Sequence, residues 1–96
     1  MENLMINKIE KEQVKELEFF KENTQRNKIE RKKIHNLLYM GMLLGNSYRH
    51  KVKIIFESMD GRKMVETTIW ATTENNVILK GGTTIPVSAI VDIHLC

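Results

Sequence analysis

Residues 52–95 read VKIIFESMDGRKMVETTIWATTENNVILKGGTTIPVSAIVDIHL. Turn-forming residues cut this stretch into five short runs rich in β-branched and aromatic side chains. Val52 to Phe56 ends at Asp60 and Gly61, and Lys63 to Ala71 ends at Glu74, Asn75 and Asn76. Val77 to Lys80 ends at Gly81 and Gly82, where a two-residue hairpin turn needs positive φ. Thr83 to Ile85 runs into Pro86, which cannot donate to a ladder, and Ile90 to Leu95 forms the last run. Val87, Ser88 and Ala89 leave room for one helical turn before it. Short strands in such number protect their edges best by curling into a small closed or nearly closed barrel. The expected fold is mainly β: a five-stranded small barrel preceded by one or two α-helices.

Alternation along the runs separates an inner from an outer face. Val52, Ile54, Phe56, Val65, Ile69, Val77, Leu79, Ile85, Ile90 and Ile93 form the expected core. Lys51, Lys53, Ile55 and Glu57 fall on the opposite face of the first strand, and Trp70 falls on the outer face of the second or under the N-terminal helix. A barrel of this size is marginal alone, because domains near 60 residues bury only about 60% of their unfolded surface. Help is therefore expected from the N-terminal half or from a second copy of the chain.

Two helices are expected in that half. The first covers 7–22: Ile6, Ile9, Leu17 and Phe20 share one face with Val14 at its edge, and Asn7 with Glu10 reads as a capping pair. The poor helix formers Asn23, Thr24 and Gln25 interrupt it. The second covers 28–44. Asn-Lys-Ile-Glu recurs at 27–30 as a start signal, and Ile34, Leu37, Leu38, Gly41 and Met42 make one buried face. Gly45 and Asn46 read as its stop. Gly41 and Gly45 allow close packing on the barrel. Met40, Leu43 and Leu44 leave the end of this helix apolar nearly all round, and they are the candidate self-association residues. The chain divides into a charged helical extension, 1–26, and a helix-plus-barrel domain, 27–96.

Charge is mildly basic, at +3 overall, and unevenly spread. Residues 26–33 carry Arg26, Lys28, Arg31, Lys32 and Lys33 against Glu30, whereas 46–96 carry six basic and five acidic residues. A local patch of this kind suits a polyanion, although a solvated helix face has the same composition. The single cysteine, Cys96, permits no intrachain disulfide, which fits a reducing compartment. The apolar run 37–44 is far short of the ~20 residues a bilayer span needs. Charges throughout 1–18 leave no apolar signal core. A cytoplasmic location with no membrane partner is expected.

A helix followed by a bent five-run meander, with a short turn before the last strand, resembles Sm-like barrels. SH3-like barrels share the strand order and the Ile-Pro-x-x-x-Ile ending seen at 85–90. The ending at 80–93 is also similar to that of small uncharacterised bacterial proteins. The resemblance covers residues 28–95. RNA-binding Sm-like proteins carry an Asn in the turn between their second and third strands, and Asn76 matches it. Their preceding acidic and base-stacking positions fall here at Thr72 and Glu74, and their Arg-Gly pair has only Lys80 and Gly81 as a counterpart. The resemblance implies RNA binding and oligomer formation.

No catalytic, cofactor or metal constellation is legible. His35, His50 and His94 lack the paired spacing of a metal site, and no glycine-rich loop precedes a helix. An enzyme is not expected. Two roles remain: nucleic-acid binding through Arg49, Lys51, Lys53, Asn76 and Lys80, or assembly with other protein through strand edges and the apolar helix end.

Overall fold

The computed structural model describes residues 6–19 and 28–95. The chain order is β1 (Asn7–Ile9), α1 (Lys11–Val14), α2 (Lys28–Tyr48), β2 (Val52–Ser58), β3 (Gly61–Thr67), β4 (Ile69–Thr72), β5 (Asn76–Leu79), β6 (Thr84–Pro86), a 3-10 turn (Val87–Ala89) and β7 (Ile90–His94). The fold is mainly β, with two sheets and one long helix. One sheet is ordered β1-β3-β2-β7 and the other β4-β5-β6.

Turn chemistry explains most of this order. β2 and β3 pair antiparallel from Val52 opposite Thr67 to Ser58 opposite Gly61, leaving Met59 and Asp60 as a two-residue turn. The Ser58 hydroxyl donates to the Gly61 carbonyl and accepts from the Asp60 N–H, so the turn's polar groups are satisfied locally. Thr73 does the same for the β4–β5 turn, its Oγ1 accepting from the N–H groups of Asn75 and Asn76. Gly81 and Gly82 both have positive φ, as the β5–β6 turn requires.

The expected single strand from Lys63 to Ala71 is instead two strands broken at buried Thr68. β3 belongs to one sheet and β4 to the other, so the chain bends there from sheet to sheet. The described strands do not close into a ring: β6 and β7 are joined by the 3-10 turn and lie in different sheets. That turn occupies the three residues where one was expected.

All ten expected core residues are buried. Val14, Ile34, Leu38 and Val87 complete the same cluster, with Ile9, Leu17, Phe19, Leu37 and Leu95 packed around it. Two elements outside the strands therefore seal the core. α2 lies against β4, β7 and the 3-10 turn. Residues 6–19 cover another side, with Val14 fully buried, the Phe19 ring 5.9 Å from that of Phe56, and the Met59 N–H donating to the Glu18 carbonyl.

The expected helix over 7–22 is corrected across its described part. Asn7, Lys8 and Ile9 form a strand paired parallel to Lys63, Met64 and Val65. β2 uses one edge of β3, and the other would otherwise present unpaired N–H and C=O groups. β1 takes that edge, so tertiary pairing overrides the local helical pattern. The capping pair is Glu10 with Gln13, not Asn7 with Glu10, and the helix it starts has only four residues. Ile6 is exposed rather than part of a buried stripe. Phe20, the break at 23–25 and the 26/27 boundary lie outside the described residues.

The expected stop of α2 at Gly45 is also corrected. A Cβ on Gly45 would lie 2.6 Å from the Ile69 carbonyl oxygen, so glycine is needed there because helix and strand backbones touch. The helix continues to Tyr48. Arg49, at φ 56°, supplies the left-handed residue, and the N–H groups of Arg49 and His50 close on the Gly45 and Leu44 carbonyls.

Candidate nucleic-acid interface

The bend at Thr67 and Thr68 gathers most of the expected nucleic-acid residues. Arg49 and Lys51 follow the end of α2 and lead into β2, whose first residue, Val52, pairs with Thr67. Lys53 is next on the outward face of that strand, opposite Glu66. Lys80 arrives from the second sheet, its N–H donating to the Thr68 carbonyl at 2.9 Å. The Thr68 side chain in turn abuts Gly45, one turn before Arg49. Four cations from two sheets and a helix terminus thus border one corner of the fold. Arg49, Lys51 and Lys80 are exposed and Lys53 is half-buried.

Asn76 does not join them. It begins β5, paired with Pro86, and Lys80 follows the other end of that strand. Four residues of strand separate the two by about 13 Å at ~3.3 Å per residue. The backbone of Asn76 is held by Thr73, with the Thr73 hydroxyl donating to the Asn76 carbonyl as well as accepting from its N–H. This turn is tied to α2 by His35, whose two ring nitrogens lie 2.9 Å from the Arg31 and Glu74 carbonyls. Asn76 therefore sits in a structural turn at the far end of α2 from the cationic corner.

Elsewhere the outer face of the first sheet neutralises itself. Lys8 lies 3.3 Å from Glu66, Arg62 lies 2.6 Å from Glu57, and His94 lies 3.2 Å from Asp92. Near the Gly81 turn Lys11 pairs with Glu12 and, chiefly by that hydrogen bond, holds the Glu12 carboxyl below the usual carboxylate range. Arg49, Lys51, Lys53 and Lys80 form no ion pair among the described residues, a property they share with Lys15, Arg31, Lys32, Lys33 and Lys63.

Trp70 adds an aromatic surface to this corner. It lies two residues beyond Thr68, at a register shift between β4 and β5, and is 49% exposed. Alternation places it on the outer face of the second sheet. The β4–β5 ladder pairs Ile69 with Leu79, so Trp70 and Lys80 each follow an inward residue of neighbouring strands and share the outward side. The alternation pattern marked Trp70 as outward, and the β4–β5 register puts it on the same side of the second sheet as Lys80.

His50 turns inward to the Leu95 carbonyl and His94 to Asp92, while His35 is used as above. No group of three or more His, Cys, Asp or Glu among the described residues is placed to hold a metal ion. The candidate self-association residues lie on α2 away from this corner's strands: Met40 and Leu43 are exposed and Leu44 is half-buried. No described helix is long and apolar enough to cross a membrane.

No family model, curated protein or solved structure matches the chain.

Proposed function

We propose that this chain is a non-catalytic binding protein for single-stranded nucleic acid, with RNA as the preferred ligand. The observation that carries the reading is the grouping of Arg49, Lys51, Lys53 and Lys80, which form no ion pair among the described residues, at a corner where an exposed Trp70 shares the outward side of the second sheet with Lys80. Cations tracking a phosphate backbone beside an aromatic face for a base are the two components of sequence-tolerant single-strand binding. Duplex binding would not require the aromatic face. Asn76 has no part in this reading.

The fold supports the same direction. The strand order runs from β7 through β2 and β3 across the bend into β4, β5 and β6, as in an opened-out Sm-like or SH3-like barrel. We read the molecule as such a barrel, with its gap covered by α2 and the 6–19 segment.

Fluorescence anisotropy with a labelled 20-nucleotide single-stranded RNA tests the proposal. Four neutralised phosphates would give a log–log salt slope of about −3, at ~0.7 per contact for a single strand. Lys51→Glu and Lys80→Glu should each weaken binding and flatten the slope. Trp70→Ala should cost roughly 1–3 kcal/mol of affinity with the slope unchanged. Binding unaffected by all three substitutions, or no binding at low salt, contradicts the reading.

A further inference from the structure

α2 carries a second, largely apolar stripe, which the fold covers only in part: Leu37 packs against the core and Leu44 is half-buried, while its other apolar members are exposed. Ile29, Lys33, Leu37, Met40, Leu44 and Tyr48 follow one another at spacings of four, four, three, four and four residues. On a helix of ~3.6 residues per turn they fall within an arc of about 100°. Ile34, Leu38, Gly41 and Gly45, the face packed on the sheets, occupy a different arc centred about 100° away. Ile29 is 80% exposed, Tyr48 77% and Met40 53%. Leu37 and Lys33 form a ridge between two grooves. One, of about 340 Å³, runs past Ile29, Asn36 and Met40; the other, of about 300 Å³, lies between α2 and Val91 and Asp92 of β7. A ridge flanked by grooves is the surface that receives another helix.

The distribution of charge along the stripe selects the occupant and its direction. Arg31, Lys32 and Lys33 crowd the first half of α2, whereas residues 34–48 contain no Asp, Glu, Lys or Arg. A parallel copy would lay the basic run on itself. An antiparallel copy lays it on the uncharged half, toward the end of the partner helix where the macrodipole is negative and the last turn holds no cation. The stripe is also complementary to itself in that direction. With Leu37 opposite Met40, Lys33 meets Leu44 and Ile29 meets Tyr48, so every apolar position of one stripe has a cover. The 100° offset from the packed face leaves the sheets to one side of the contact, with only Val91 and Asp92 of β7 bordering it.

We infer that two copies of this chain pair through α2, antiparallel, in the register that sets Ile29 against Tyr48. The pairing stands independently of nucleic-acid binding, because it uses none of the corner's four cations.

Sedimentation velocity from 1 to 100 µM, together with disulfide trapping in a Cys96→Ser background, tests this. A two-chain mass is expected, falling to one chain in Met40→Asp while circular dichroism retains the native spectrum. An oxidised mixture of Ile29→Cys and Tyr48→Cys chains should trap the mixed dimer at least tenfold over either variant alone. A one-chain mass at 100 µM overturns the inference, including the case in which residues 20–27 of the same chain cover the stripe. So does a two-chain mass retained by Met40→Asp, which moves the contact to strand edges. Self-trapping of Ile29→Cys overturns the direction.

Discussion

The two apolar faces of α2 have similar side chains and different surroundings. The inner face presents Ile34 and Leu38 with Gly41 and Gly45 and meets the strands so closely that a Cβ on Gly41 would lie 3.0 Å from the Ile69 side chain. The outer stripe has large residues where the inner face has glycines, and only Leu37 of it packs against the core among the described residues. Small residues draw a helix onto a neighbour that is always present; Ile29, Met40 and Tyr48 left in solvent leave a contact still to be made. The comparison teaches that hydrophobic pattern alone does not tell a folding face from an assembly face. The glycines do.

The difference can be broken from either side. Leu38→Ala, at a fully buried inner position, should lower unfolding free energy by roughly 2–5 kcal/mol in urea titration. Gly45→Ala should cost roughly 1–3 kcal/mol, because its Cβ meets the Ile69 carbonyl oxygen rather than a movable side chain. That loss is net of the gain in helix propensity, and a stabilised variant would contradict the close approach. Outer substitutions should behave oppositely: Met40→Asp should change the stability of the isolated chain by no more than about 0.5 kcal/mol, as at other surface sites. A change of opposite sign belongs to the helix end. Arg49→Gly relieves a left-handed backbone and should stabilise by up to about 1 kcal/mol, less what the unfolded chain gains in freedom. The same variant should weaken RNA binding, so stability and affinity move in opposite directions.

What the sequence made legible follows from which signals were local. Strand alternation between Val52 and Ile93 and the turns at Met59, Thr73 and Gly81 depend on nearby residues, and the core list they imply is buried throughout. Asn-Lys-Ile-Glu shows where local reading ends. At 7–10 it is a sheet-edge strand leading into a short cap; at 28–30 its last three residues begin a 21-residue helix. The open edge of β3, distant in sequence, decides the first case. The long stripe of Ile34, Leu38, Gly41 and Gly45 decides the second. Gly45 was legible as special but not as a contact glycine, since its neighbour Ile69 lies 24 residues on. The site divides in the same way. Arg49, Lys51 and Lys53 are close in sequence and stay together, Lys80 and Trp70 are brought in by the bend at Thr68, and Asn76, matched by resemblance alone, lies elsewhere.

That α2 folds the chain with one face and joins two chains with the other is tested most directly by the concentration dependence of the melting temperature. A folded state stabilised by association gains with the logarithm of protein concentration, whereas a monomer does not. Between 1 and 100 µM the wild-type chain should melt several degrees higher at the greater concentration, and Met40→Asp should melt at one temperature throughout. A wild-type melting temperature that does not move with concentration would contradict it.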